Sequence, residues 1–194
     1  MAAIYVIRHG QDMDNEAGIL NGRRDMPLTQ RGRDQAVRAG QEMLEKEISY
    51  IYCTPLVRGL ETATIIRRTL ALEAARQIVH HRLIERDFGE FTGKPYAAIR
   101  QRCAPEHMLE TEHVTYFLQG EGVESFEATY QRAKEFLDEV EFKHRNHNIA
   151  VVCHGDIGNM IRGVFHGWTW RQALLNGKFD NCGIHRLPEV EQVK

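Results

Sequence analysis

No apolar run in this chain approaches the ~20 residues that a bilayer-spanning helix needs, so a membrane helix is not expected. Met1 to Arg8 is too short for a secretory signal, and the chain reads as soluble and unprocessed. The four cysteines, Cys53, Cys103, Cys153 and Cys182, form no CxxC pair and lie far apart, which argues against a zinc knuckle and a dense disulfide framework. A reducing cytoplasm is the expected compartment. Neither sign of charge dominates: 25 Lys+Arg against 27 Asp+Glu leave a net charge of -2. The overall basic field of a general nucleic-acid or anionic-membrane binder is therefore missing, and any anion site must be local. Lysine itself is scarce, with 6 Lys to 19 Arg; a planar five-donor guanidinium grips phosphate or carboxylate oxygens better than a point charge. No repeat, low-complexity tract or Pro/Gly/Ser linker divides the chain. What remains is 194 residues, 42% hydrophobic and 27% charged, enough for one compact domain and incompatible with disorder or collagen-like repetition.

Short β-branched runs recur at Ala3–Ile7, Ile48–Cys53, Gln77–Val79 and Ile149–Cys153, with a last strand expected near Cys182–Leu187. Between them lie helical periodicities. Thr29–Lys46 carries Ala36, Ala39, Met43 and Leu44; Pro55–Leu72 carries Leu56, Leu60, Ala63, Ile66 and Leu70. Thr54-Pro55 reads as a helix start, a long helix is expected from about Glu124 to His144, and an apolar segment follows His154-Gly155-Asp156. This alternation predicts an α/β fold, a three-layer α/β/α sandwich with a mostly parallel central sheet. Residues 93–122 read as a short helical lid or crossover insertion within a single domain spanning 1–194.

Ligands of an open parallel sheet bind outside the carboxyl ends of its strands, where helix N-termini present unpaired N–H groups. The first predicted strand runs into Arg8-His9-Gly10, the second into Thr54 with Arg58 one turn later, the third leads to Glu85, and the fourth ends at His154-Gly155. Two arginines and two histidines can surround a phosphate dianion. One histidine can attack phosphorus and carry the group as phosphohistidine, and a carboxylic acid such as Glu85 can protonate the departing alkoxide. Taken singly, each residue has a bland reading: Arg58 as a solvated or salt-bridged side chain, His154 as a helix cap, Glu85 as a surface carboxylate paired with Arg86 or Arg82. Their joint order along a βαβ pattern favours the enzyme.

The motifs Ile7-Arg8-His9-Gly10 with Asn15, Asn21-Gly22-Arg23-Arg24-Asp25-Met26-Pro27-Leu28-Thr29, Thr54-Pro55-Leu56-Val57-Arg58-Gly59, Leu83-Ile84-Glu85, Gly122-Val123-Glu124-Ser125 and Val152-Cys153-His154-Gly155 occur in this order over nearly the whole chain. Together they resemble the histidine phosphatase superfamily, also called phosphoglycerate mutase-like. The resemblance implies that His9 is the phosphorylated nucleophile, that Arg8, Arg58 and His154 form the phosphate pocket, and that Glu85 is the proton donor. It also implies that Asn15 lines the pocket, that Asn21 and Gly22 meet the rest of the substrate, and that Gly155 offers a backbone N–H to the phosphate. No metal and no cofactor take part in that chemistry. The chain departs from the family at Asp12, where Ser or Thr is usual, at Gln11, where Glu is common in the mutases, and at Asp14, where Trp is frequent. Arg23 and Arg24 either hold a second anionic group of the substrate or sit in solvent beside Asp25.

The expected function is phosphomonoester hydrolysis of a small phosphorylated metabolite, with mutase-type phosphoryl transfer and a non-catalytic phospho-ligand binding protein as alternatives. Hydrolysis is preferred because the crossover is short and electrically mixed, Lys94, Arg100 and Arg102 being followed by Glu106, Glu110 and Glu112. His107 and His113 are expected to face solvent or the lid; Phe165, Trp168, Trp170 and Tyr116 read first as packing, with a hydrophobic wall near the opening as the alternative, and Cys153 reads as packing. The expected partner is a small-molecule phosphoester, not nucleic acid or membrane. A homodimer stays open, since no coiled-coil heptad or interface stripe stands out.

Overall fold

The computed structural model describes residues 2–177 and 179–187; residues 1, 178 and 188–194 of the expected domain lie outside the described residues. The chain runs β1 (Ile4–Arg8), α1 (Met13–Ala17), α2 (Gln30–Glu42), β2 (Ile48–Cys53), α3 (Val57–Thr69), β3 (Gln77–Val79), α4 (Ala98–Arg102), β4 (Met108–Glu110), β5 (Thr115–Phe117), α5 (Phe126–Lys143), β6 (Asn148–Cys153), α6 (Gly155–Phe165), α7 (Trp170–Leu175) and β7 (Ile184–Leu187). Five strands form one sheet in the order β3-β2-β6-β1-β7. All neighbours in it are parallel except β7, which runs antiparallel to β1.

Strand periodicity explains the two helical layers. In β6, Ile149, Val151 and Cys153 point to one face and Ala150 and Val152 to the other. The first face packs with Phe136, Leu137 and Val140 of α5 and Ile157, Met160 and Ile161 of α6. The second packs with Ala39 of α2 and Ala63 and Ile66 of α3. Each fully buried aromatic or branched side chain contributes about 1.5–3 kcal/mol relative to exposure, so both layers hold the sheet. This is the expected α/β/α arrangement.

Three boundaries differ from the sequence reading. The helix expected at Pro55 begins at Val57 after an extended Leu56, and the first N–H is capped from a distance by the Asp25 carboxylate at 2.6 Å. Thr54 Oγ1 accepts from the Leu56 N–H at 3.4 Å and also meets His154. The helix expected to reach Lys46 ends at Glu42, with a separate 3-10 turn at Leu44–Lys46. The 93–122 insertion is not wholly helical: β4 and β5 pair as an antiparallel hairpin. Its turn lacks an Asn-Gly or Asp-Gly signal; Thr111 closes it, its Oγ1 accepting from the N–H groups of His113 and Val114 and donating to the Val114 carbonyl. Phe117 of this hairpin joins Leu20, Phe88, Phe91 and Ile99 in a small third core. No helix among the described residues is long and apolar enough to cross a membrane.

Candidate active site

The β1 and β6 strands lie side by side and end together, so His9 and His154 leave the sheet as neighbours with ring centroids 5.0 Å apart. Both are buried. The His9 Nδ1 lies 2.7 Å from the Gly10 carbonyl, which can only accept; Nδ1 therefore carries the proton and Nε2 keeps its lone pair. That lone pair accepts from Arg58 Nε at 3.3 Å. His154 is the mirror case: Nδ1 accepts from the same Arg58 Nε at 3.2 Å, and Nε2 meets Thr54 Oγ1 at 2.9 Å. Burial, reinforced for both rings by the charges of Arg58 and Arg8, holds each imidazole well below its ordinary value of 6.5. The structure thus brings together two neutral imidazoles aimed at one guanidinium.

Arg58 is wholly buried in the first turn of α3. Its Nη1 and Nη2 donate to the carbonyls of Arg24 at 2.6 Å and Gly22 at 2.7 Å, which fixes the plane of the guanidinium. Arg8 donates through Nη1 to the Phe179 carbonyl at 2.6 Å, while its Nε is buried with no protein partner. An unpaired guanidinium N–H beside a cavity is a seat for an anion.

Glu85 is buried, excluding the surface reading, and Arg86 pairs instead with Asp156 at 2.7 Å. The Glu85 carboxyl accepts from the N–H groups of Arg86 (2.8 Å), Ile157 (3.2 Å) and Asp156 (3.2 Å), the last two in the first turn of α6. Burial, then the neighbouring Asp156 charge, pushes its pKa up; the three N–H donors oppose this without reversing it. A raised carboxyl facing a cleft is what a general acid requires.

Arg8, His9, Asn15, Asn21, Glu85 and Gly155 line one cavity of about 620 Å³. Its outer walls are Leu20, Phe88, Phe179 and the insertion, through Tyr96, Ala97, Ile99 and Arg100 and from His113 to Phe117. His113, read as facing solvent or the lid, borders the cleft from the insertion; Tyr116 both packs in the core and lines the cleft, and Trp170 packs, stacked on Phe126. Asn15 and Asn21 reach the cavity, but the Asn21 amide is held by Asp12 Oδ2 at 2.5 Å, and Gly22 turns its carbonyl to Arg58. Arg23 is not among the residues lining the cavity. It donates to the Glu85 carbonyl and pairs with Asp87 (3.3 Å) and Glu124 (3.0 Å). Arg24 pairs with Asp14 at 2.8 Å, both arginine side chains are partly in solvent, and the Asp25 carboxylate accepts from the Val57 N–H. The α6 amides nearest Gly155 are occupied by Glu85.

Sequence reasoning missed several supports. Thr54 holds His154, and Thr62 Oγ1 accepts from the Gly10 N–H at 3.0 Å. Asn181 donates to the His9 carbonyl and to Asn15 Oδ1. Only Thr54, next to a predicted strand end, carried a local signal. Among the described residues no group of three or more His, Cys, Asp or Glu is arranged to hold a metal ion.

Phosphoserine phosphatase 1 of Hydrogenobacter thermophilus is 30% identical to this chain over 154 residues, covering 79% of this chain and 71% of that protein. A 2,3-bisphosphoglycerate-dependent phosphoglycerate mutase of Rhizobium etli is 29% identical over 171 residues, covering 86% and 80%. The solved structure of a phosphoserine phosphatase from Entamoeba histolytica, in complex with 3-phosphoglyceric acid, superposes with a TM-score of 0.80 at 22% identity, over 96% of this chain and 90% of that one. At that identity it shares the fold. The family description that matches residues 4–192 is the histidine phosphatase superfamily (branch 1), and the chain belongs to that superfamily.

Proposed function

We propose that this protein is a metal-independent phosphomonoester hydrolase that works through a phosphohistidine on His9. The observation that carries this reading is the pair of neutral imidazoles converging on Arg58, with the His9 proton parked on Nδ1 and an unprotonated Nε2 whose lone pair exchanges the Arg58 N–H for phosphorus. In the first half-reaction Nε2 attacks phosphorus, the bond to the ester oxygen breaks, and Glu85 gives its proton to the departing alkoxide. In the second, Glu85 takes a proton from water, whose oxygen attacks phosphorus; the P–N bond breaks, His9 is restored and inorganic phosphate leaves. Arg8, Arg58 and His154 offset the charge on the transferring group, which is most of what phosphoryl transfer needs from a protein. Asn15, Asn21 and Gly155 border the substrate in this scheme.

Hydrolysis is favoured over mutase-type transfer because the basic side chains outside the phosphate pocket already have anionic partners. Arg100 pairs with Glu110 at 2.9 Å, Arg24 with Asp14, and Arg23 with Asp87 and Glu124. A mutase needs a second phosphate position. Residues 93–122 serve as the lid of a single catalytic unit spanning 1–194, and the aromatic and branched walls of the cavity suit a small phosphoester whose alcohol carries an apolar body. A cytoplasmic location belongs to the same reading, all four cysteines being free and two of them core residues.

Rapid acid quench with a phosphate-labelled ester tests the mechanism. Label is expected on His9 and is expected to vanish in His9→Ala together with turnover. Turnover in the wild type without trapped label would reject the covalent route, and an inactive wild type that still binds phosphate would indicate a binding module.

A further inference from the structure

The buried carboxylate of Asp12 stands where the family usually carries a hydroxyl, and the geometry around it is specific. As the N-cap of α1, its Oδ1 accepts from the Asn15 N–H at 2.7 Å. Its Oδ2 accepts from Asn21 Nδ2 at 2.5 Å and lies 3.2 Å from Arg58 Nε. Both oxygens thus have the acceptor pattern of an ionised carboxylate.

Arg58 Nε carries one hydrogen, shared between His9 Nε2 at 3.3 Å and His154 Nδ1 at 3.2 Å, while Asp12 Oδ2 lies 3.2 Å from the same nitrogen as an ion pair. Each Nη group gives one of its two hydrogens to a carbonyl of the preceding loop. A phosphoryl group seated against His9 Nε2 reaches Arg58 through this same Nε edge, and there it meets the charge of Asp12. With both imidazoles neutral, Arg8 and Arg58 supply two positive charges and Asp12 removes one. A phosphate dianion thus enters a cage one charge short of matching it.

We propose that Asp12 is a resident counter-anion of Arg58, a positioning residue that competes with the phosphoryl group for the Arg58 charge, weakens phosphate binding, and takes up a proton when a tetrahedral dianion occupies the cage. The inference rests on the phosphatase reading for its purpose, since a hydrolase must release inorganic phosphate, but the competition itself follows from the contacts. The charged and titratable groups facing Asp12 are Arg58 from α3, His9 Nδ1 at 3.9 Å and Arg8 from β1, and Asp14 from α1. Burial already pushes the Asp12 carboxyl up, against the Asn15 N–H and the Arg58 charge, and a second anion alongside pushes it in the same direction.

Asp12→Ser and Asp12→Asn both keep a side-chain acceptor for the Asn15 N–H, hence the α1 cap, and both delete the charge. Calorimetric titration with sulfate, an unreactive tetrahedral dianion, is expected to show both variants binding at least about tenfold tighter than the wild type at neutral pH. Affinity within twofold of the wild type, or weaker, in variants that melt cooperatively would overturn the proposal. A reading that needs no Asp12 variant is the infrared band of a protonated carboxyl, recorded in Glu85→Gln so that Glu85 cannot supply it. The band is expected to appear with sulfate, and its absence would overturn the proposal as well. The two claims fail separately: a wild type that hydrolyses no phosphoester rejects the phosphatase reading while the sulfate comparison stands. A wild type that turns over while sulfate affinity ignores Asp12 rejects only this inference.

Discussion

His9 and His154 show how much chemistry one hydrogen-bond partner decides. The Gly10 carbonyl fixes the tautomer of His9, and Thr54 fixes the orientation of His154, so the nitrogen proposed to attack phosphorus is left unprotonated. Their burial has a stability consequence. Because the folded values lie below 6.5, the unfolded chain binds more protons in the interval between, so the histidine contribution is complete above 6.5 and is lost as pH falls through the lowered values. Glu85 and Asp12 act with the opposite sign, since burial raises their carboxyls and their contribution is lost as pH rises through the raised values. Thermal melts of His154→Asn should therefore lose less stability than the wild type between pH 6.5 and about 5; matching slopes would mean that His154 titrates normally. For Glu85→Gln, steady-state kinetics should show alkyl phosphates slowed by about 10²–10⁴ and aryl phosphates, whose leaving groups need little protonation, slowed far less. Equal losses would remove Glu85 from the acid role. These residue types were legible as a set. That Arg23 grips the Glu85 backbone instead of the substrate was not, because a guanidinium suits either partner and only proximity to Asp87 and Glu124 decides.

At the level of elements, the segment carrying Glu85 has little secondary structure of its own and is held by arginines instead. Glu124, just before α5, accepts from Arg132 at 2.7 and 3.1 Å, from Arg23 at 3.0 Å and from the Asp87 N–H at 3.1 Å. Arg132 in turn donates to the carbonyls of Arg82 and Ile84, both at 2.7 Å. Burial disfavours ionisation of Glu124, yet the hydrogen bond and charge of Arg132 hold its carboxyl below the ordinary range. Glu124→Ala would leave the largely buried Arg132 guanidinium without a carboxylate and is expected to cost about 3 kcal/mol, roughly 10 °C in Tm, with a fall in kcat as Glu85 loses its footing. A shift under 2 °C by differential scanning fluorimetry would show that the cluster is solvated and idle. The strands and long helices matched their periodicities to within a few residues. The start of α3 did not, because Asp25 caps it from 32 positions away, and the β4–β5 hairpin escaped notice because its turn is closed by a threonine side chain.

For the molecule as a whole, the sheet order β3-β2-β6-β1-β7 is what makes a site. It sets β1 against β6 and β6 against β2, so that residues 8–9, 54 and 154 emerge at one edge, with α3 delivering Arg58 beneath them. Gly10 and Gly32 let the loop after β1 pack backbone to backbone against the start of α2; a Cβ at Gly10 would collide with the Gly32 carbonyl. The insertion completes the cleft with apolar walls, and Tyr96, about half exposed at its rim, offers a direct test. Tyr96→Ala should raise KM for naphthyl phosphate by roughly two- to tenfold while leaving phosphoserine unchanged; equal effects on both substrates would place the apolar walls outside the binding site. The sequence by itself determined the α/β layering, the strand-end positions of Arg8, His9 and His154 and the order of motifs, because periodicity and local residue chemistry act within a few residues. Only the tertiary structure decided which charges meet. The pairing of Arg23 with Glu124, the burial of Glu85 over α6 and the crowding of Asp12 onto Arg58 join residues far apart along the chain, and electrostatics and desolvation depend on distance through space.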